Sequence, residues 1–241
     1  MNAPNRSSSR SSSSSLWSAL AAFLATIVVG GVVVYLLYPD EFRTTVSNSP
    51  LGDMVEGLPQ PGFDPHDGRG HYLDAVSPRD EGVRDLAVEV TRKCKTGDRG
   101  CEASRLLRHV ASKIKYVSDP RGEGDYVQPP MRTVELGAGD CEDQTILLAS
   151  MFEAVGIRTL LAFTDNHVYP MACTEEPLKK RHLGSGAKVY VIDGGALHCY
   201  PAEPTNPKAK LGQEGDHEGF LLVADPVDGS VHDFAQAPKP E

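Results

Sequence analysis

The sequence predicts an α+β domain, helices packed on a mostly antiparallel sheet, preceded by one membrane-spanning helix. Three observations predict it. Apolar residues at helical spacing come first, from about Ser77 to Val155, and six short strand-like segments follow, up to Phe234. Helices followed by strands is the order of an α+β fold. The third observation is the charge-free, apolar run from Leu16 to Tyr38.

Residues 1–15 form a serine-rich, disordered tail whose charged side chains are Arg6 and Arg10. Residues 16–38, helical at about 1.5 Å per residue, would be roughly 34 Å long, enough for a hydrocarbon core of about 30 Å. Trp17 at one end and Tyr35 and Tyr38 at the other suit the two interfaces. A cleaved signal peptide is the competing reading, but Leu36-Leu37-Tyr38-Pro39-Asp40 offers no small-residue cleavage site. Arg6 and Arg10 before the span, against Asp40 and Glu41 after it, predict a cytoplasmic N-terminus and an extracytoplasmic domain. Residues 39–76, rich in Pro, Gly and Asp, read as a stalk or linker, and residues 77–241 as the domain.

Within the domain, Ser77-Pro78 is an expected helix start, with Val83, Leu86, Ala87 and Val90 on one face. A second helix is expected from about Glu102 to Tyr116. The following segment, through Tyr126 and Pro129-Pro130, reads as loop. A third helix, apolar over most of its girth, starts at Cys141 and ends before Gly156, so it should be the central buried one. Strands are expected over 158–164, 166–173, 188–192, 196–202, 220–224 and 230–234, with a hairpin turn at Asp193-Gly194-Gly195.

Net charge is −9, and the two N-terminal arginines lie on the inner side, so the outer part is more acidic still. Such a surface argues against nucleic acid and against anionic lipid. The five cysteines divide suggestively. Cys94 and Cys101 flank a turn-like linker and can staple a helix hairpin, Cys173 and Cys199 lie on strand-like segments, and Cys141 is left over as a free thiol. The alternative is five reduced, buried side chains. His66, His71, His198 and His217 are scattered, without Cys-x-x-Cys or His-Glu-x-x-His spacing, so no metal and no cofactor are expected.

Gly139-Asp140-Cys141-Glu142-Asp143 places a thiol at a helix N-terminus, where the dipole favours thiolate. His167, opening a strand-like segment, is the candidate base, and Glu203, in Tyr200-Pro201-Ala202-Glu203-Pro204-Thr205, is a carboxylate that can orient it. Were their strands adjacent and antiparallel with His167 opposite Glu203, Cys173 would lie diagonal to Cys199; segment 188–192 is the alternative neighbour. The bland reading makes Cys141 structural, Asp140 a helix cap and Asp143 a partner of the dipole. Asp140, Glu142 and Asp143 also oppose ionisation of the thiol.

These motifs, with Val127-Gln128-Pro129-Pro130-Met131-Arg132-Thr133-Val134 and Asn166-His167-Val168-Tyr169, resemble the transglutaminase-like superfamily over roughly residues 80–210. The resemblance implies a papain-like core with Cys141 as nucleophile, His167 as general base and acid, and Glu203 as orienting carboxylate. Glu203 stands where the family usually has aspartate, which leaves Asp225 as the fallback acid. Tyr126 stands where a tryptophan often precedes the cysteine, a candidate oxyanion or substrate-wall residue, and Asp140 is a second candidate beside the thiol.

The function expected is a membrane-anchored thiol acyl transferase or peptidase that attacks protein or peptide amides through a thioester, with water or an amine as acceptor. A catalytically inactive scaffold or binding domain is the alternative, with metal-dependent hydrolysis a third reading.

Overall fold

A computed structural model of the chain describes residues 70–119, 126–215 and 222–237. The expected tail (1–15), the expected span (16–38) and most of the expected stalk lie outside these residues. The end of the stalk does not. Gly70–Ala75 is a helix, α1, whose Leu73 is buried.

Two aspartates start the next two helices. α2 (Glu81–Thr91) is capped by Asp80, which accepts from the Val83 N–H at 3.1 Å. This corrects the expected start at Ser77-Pro78: the Ser77 hydroxyl donates back to the Ala75 C=O at 3.0 Å, and its N–H donates to Ser150 Oγ at 2.9 Å. α3 (Arg99–Lys113) is capped by Asp98, which accepts from the Cys101 N–H at 3.2 Å, so it begins inside the expected linker. A disulfide joins Cys94 to Cys101 and staples this hairpin.

β1 (Lys115–Tyr116) pairs in parallel with β2 (Ala138–Gly139), and between them lies α4 (Pro130–Leu136), in a stretch expected to be loop. α5 (Cys141–Ala154) follows at once. Every residue from Glu142 to Phe152 is buried, as a helix apolar nearly all round requires.

β3 (Arg158–Phe163), β4 (Val168–Thr174), β5 (Tyr190–Ile192), β6 (Leu197–Pro201), β7 (Leu222–Ala224) and β8 (Phe234–Gln236) form one antiparallel sheet in the order β7-β3-β4-β6-β5-β8. A one-turn helix at Asp193–Gly195 links the antiparallel neighbours β5 and β6, so the expected hairpin is present there. β4 and β6 are direct neighbours, so segment 188–192 does not separate them. Their register sets Cys173 squarely opposite Cys199 rather than diagonal to it, and the two form a disulfide. The β8 strand begins at Phe234, where 230–234 had been expected.

The sheet has two buried faces. Ala172, Tyr200 and Ala202 pack with Leu147, Leu148, Met151 and Phe152 of α5 and with α2 and α3. Tyr169, Met171, Cys173, Tyr190, Ile192 and Cys199 form a second apolar cluster. Alternation along β4 explains the division: odd-numbered residues face one cluster and Ala172 the other.

The burial pattern ranks the leucines. Leu148→Ala, at a fully buried site, is expected to cost about 3 kcal/mol. Leu136→Ala, 52% exposed at the end of α4, is expected to cost less than about 0.5 kcal/mol. Denaturant unfolding of the two variants checks the ranking.

Candidate active site

The site begins where β2 turns into α5. A Cβ on Gly139 would lie 2.6 Å from Asp143 Cβ and 2.8 Å from its Oδ2, so only glycine permits this turn. Asp140 occupies the cap position and its C=O accepts from the Gln144 N–H at 3.2 Å. Its side chain makes no cap hydrogen bond, which corrects the expectation that it caps the helix. Asp143 lies in the first turn of α5, as expected of a partner of the dipole. Its carboxylate accepts from the Gln128 N–H at 2.8 Å and from the Gln128 side-chain amide. Burial holds the Asp143 carboxyl above the ordinary aspartate range in spite of those bonds.

Cys141 is the first residue of α5, the only cysteine outside a disulfide, and partly buried. Its thiol donates to Glu142 Oε2 at 3.2 Å, and its sulfur accepts from the Val168 N–H. The Val168 C=O accepts in turn from Thr145 Oγ1 at 3.0 Å. Both backbone groups of Val168 therefore meet the first turns of α5, and the residue just before Val168 is His167.

His167 lies in the β3–β4 turn, where its C=O accepts from the Thr164 N–H at 2.8 Å and from Thr164 Oγ1 at 3.1 Å. Its Nε2 is 2.6 Å from Glu203 Oε2. The other carboxylate oxygen, Oε1, accepts from the Thr205 N–H at 2.9 Å and from Thr205 Oγ1 at 2.5 Å. Glu203 is 1% exposed. Burial alone would raise its pKa, but hydrogen bonds from His167 and Thr205 and the imidazole's charge outweigh that and hold it below the ordinary glutamate range. An ionised carboxylate can only accept, so the hydrogen between them sits on Nε2.

The thiol is held the other way. Burial, then the charge of Glu142 and its hydrogen bond with the thiol, then Asp140 raise the Cys141 pKa; the Val168 N–H pulls the opposite way and loses. A helix terminus contributes about 2 kcal/mol at most, too little to offset burial beside two carboxylates. Asp119, Asp140 and Glu142 bring carboxylate oxygens within 4.8 Å of one another, the grouping among the described residues that could hold a cation. No spacing motif announces it, because Asp119 lies in the loop after β1, far from the other two in sequence.

Asp225, the fallback acid, is engaged elsewhere. It pairs with Arg158 at 3.0 Å and accepts from the Val227 N–H at 2.7 Å, beyond the end of β7. Tyr126 is 63% exposed, and its N–H donates to Asp119 Oδ2 at 2.6 Å. Sequence reasoning missed Gln128, Thr145 and Thr205 as supports. Thr205 and Gln128 each had a signal, a place in a motif that carries the resemblance, and Thr145 had none.

Residues 84–198 match the family model described as the transglutaminase-like superfamily, a range that includes Cys141 and His167 and ends before Glu203. No curated protein matches the chain. Among solved structures it is similar to a candidate protease from Parabacteroides distasonis, at 13% identity and a TM-score of 0.38, covering 66% of this chain and 29% of that one. It is also similar to a candidate cysteine protease from Cytophaga hutchinsonii, at 12% identity and a TM-score of 0.36, covering 78% of this chain and 61% of the other. A third likeness is to calcium-bound LapG of Legionella pneumophila, at 20% identity and a TM-score of 0.32, covering 62% of this chain and 84% of that one. The chain thus spans less than two thirds of the length of the first two proteins. It is thus the segment 84–198 that carries the likeness to the transglutaminase-like superfamily.

Proposed function

We propose that the domain is a cysteine-dependent acyl transferase or peptidase acting on protein or peptide amides, with Cys141 as nucleophile, His167 as general base and acid, and Glu203 as the orienting carboxylate. The observation that carries this reading is the 2.6 Å contact between His167 Nε2 and Glu203. It fixes the imidazole so that Nδ1 is the basic nitrogen. The extra methylene of Glu203, relative to an aspartate, does not prevent that contact.

The chemistry then runs in two steps. The Cys141 proton passes to His167 Nδ1 as the sulfur attacks the amide carbon. The C–N bond breaks, and His167 returns that proton to the departing amine, leaving a thioester on Cys141. Water or an amine gives a proton to His167, attacks the thioester carbon and releases the sulfur, which takes the proton back. N–H groups at the start of α5 suit the developing oxyanion, each donor contributing about 3 kcal/mol. The resting thiol is directed at Glu142, so it must rotate away from that carboxylate before His167 can receive its proton.

That resting contact is also the observation that favours a second reading, an inactive scaffold with a structural thiol. Activity separates the two. With a fluorogenic peptide-amide panel, Cys141→Ala and His167→Ala are each expected to reduce turnover at least about 1000-fold while unfolding near the wild-type midpoint. Turnover unchanged in Cys141→Ala supports the scaffold. Glu142→Gln removes a charge and leaves a weaker acceptor, so alkylation of Cys141 by iodoacetamide at neutral pH is expected to rise about tenfold.

The acid side of the stability profile tests Glu203. Its depressed folded pKa gives stability that is fully present above the unfolded glutamate value and is lost as pH falls through the folded one. Glu203→Gln is expected to flatten that loss in unfolding midpoints measured downward from about pH 4.5.

We further propose that residues 16–38 anchor the domain on the extracytoplasmic side. The uncharged run and the flanking Arg6 and Arg10 support this. A reporter fused after Glu241 that fluoresces only in the cytoplasm is expected to stay dark; a bright one reverses the orientation.

A further inference from the structure

We propose that Glu214 is a positioning residue for the candidate triad: its tethered carboxylate holds Gly215 against Glu203 and closes that side of the His167–Glu203 pair to water. The inference rests on the triad reading above.

The segment Leu211–Gly215 is a strap laid along the end of β6. The Gly212 N–H donates to the Pro201 C=O at 2.8 Å, Gln213 bridges to Ala202, and the Lys188 N–H donates to the Gly212 C=O at 2.8 Å. The strap therefore runs beside the stretch of chain that delivers Glu203. At its far end Glu214 is buried, its side chain 4% exposed. A carboxylate is costly to bury unless it is paired and hydrogen-bonded. Glu214 accepts from Lys188 Nζ at 2.6 Å and from the Tyr190 hydroxyl at 2.5 Å, and its charge also acts on the Tyr169 hydroxyl. Tyr169 is fully buried, two residues after His167, with its ring 5.9 Å from the imidazole. One carboxylate thus acts on three side chains, from β4, from β5 and from the residue two before β5.

The consequence falls on the next residue. A Cβ on Gly215 would lie 2.9 Å from Glu203 Oε2 and 3.5 Å from Glu203 Cδ. Oε2 is the oxygen that meets His167. The Gly215 backbone thus occupies the space beside that oxygen, and any side chain there would press on it. Gly212, Gln213, Glu214 and Gly215 also line a cleft of about 670 Å³, so the strap that meets Glu203 is itself bordered by open space. Keeping water off a charge-assisted hydrogen bond strengthens it.

The test is the pH dependence of Cys141 alkylation by iodoacetamide in the full chain, for Gly215→Ala, Glu214→Ala and Glu214→Gln, each with and without Glu203→Ala. Gly215→Ala and Glu214→Ala are expected to slow alkylation about tenfold and to shift the midpoint of the pH profile, and to have no further effect once Glu203 is alanine. Glu214→Gln, which keeps an acceptor for the Tyr190 hydroxyl, is expected to lie closer to wild type than Glu214→Ala. If Gly215→Ala does not fold, the two Glu214 variants decide. Wild-type rates and midpoints in Gly215→Ala and Glu214→Ala, or equal effects with and without Glu203, overturn the proposal. His167→Ala separates this failure from that of the triad. If it slows alkylation while the strap variants do not, the strap proposal alone falls. If it has no effect, the triad reading falls and the strap proposal with it.

Discussion

The arrangement of the site depends on the backbone of one residue, Val168. The Val168 N–H meets the Cys141 sulfur, and the Val168 C=O meets Thr145 Oγ1. These two bonds fasten the first turns of the buried helix α5 to the first residue of β4. His167 precedes that residue, so its backbone adjoins the start of α5 by chain continuity. Glu203 arrives by sheet register, because β6 pairs directly with β4 and runs back toward the turn that holds His167. At the opposite end of the same strand pair, the Cys173–Cys199 disulfide locks that register. A two-residue slip of β6 would break the disulfide and remove Glu203 from His167 together.

Around this frame the electrostatics pull in two directions. Glu203 is stabilised as an anion by donors on both its oxygens. Cys141 is held in a setting that disfavours its anion, through burial, Glu142 and Asp140. The helix dipole is the smaller effect, since a terminus is worth about 2 kcal/mol at most while burial and nearby carboxylates can move a pKa by several units. The resting thiol therefore keeps its proton. In the proposed mechanism reactivity comes from His167 accepting that proton during attack rather than from a standing thiolate, and the orientation of the imidazole matters more than the position of the cysteine on its helix.

Much of this was legible in the sequence, for physical reasons that differ by element. α5 was readable because an apolar helix without a polar face has to be central. Its first residue was marked by Gly139, which the close approach of Asp143 requires. The cysteine pairing was readable from element type, since one pair flanks a turn and the other lies on strands. The register was not, because period-2 alternation fixes which face a residue occupies and not its partner across the ladder. α4 was missed although Pro130 at its start and the left-handed Gly137 past its end are ordinary helix signals; two adjacent prolines outweighed them. The start of α2 was misread because Ser77-Pro78 and Asp80 both look like caps, and the Ser77 hydroxyl turns back to the Ala75 C=O while Ser150, distant in sequence, takes its N–H. The strap over Glu203 could not have been found, since Glu214 acquires its partners only when β4 and β5 come together.

The central claim is that Glu203 sets the state of the His167 ring. The most direct measurement is the pair of ¹⁵N chemical shifts of the His167 imidazole near neutral pH, with and without Glu203→Gln. The account predicts a hydrogen on Nε2 and a bare Nδ1 in the wild-type protein, and a mixture of tautomers in the variant. A hydrogen on Nδ1, or a ring unaffected by removing the carboxylate's charge, would contradict it.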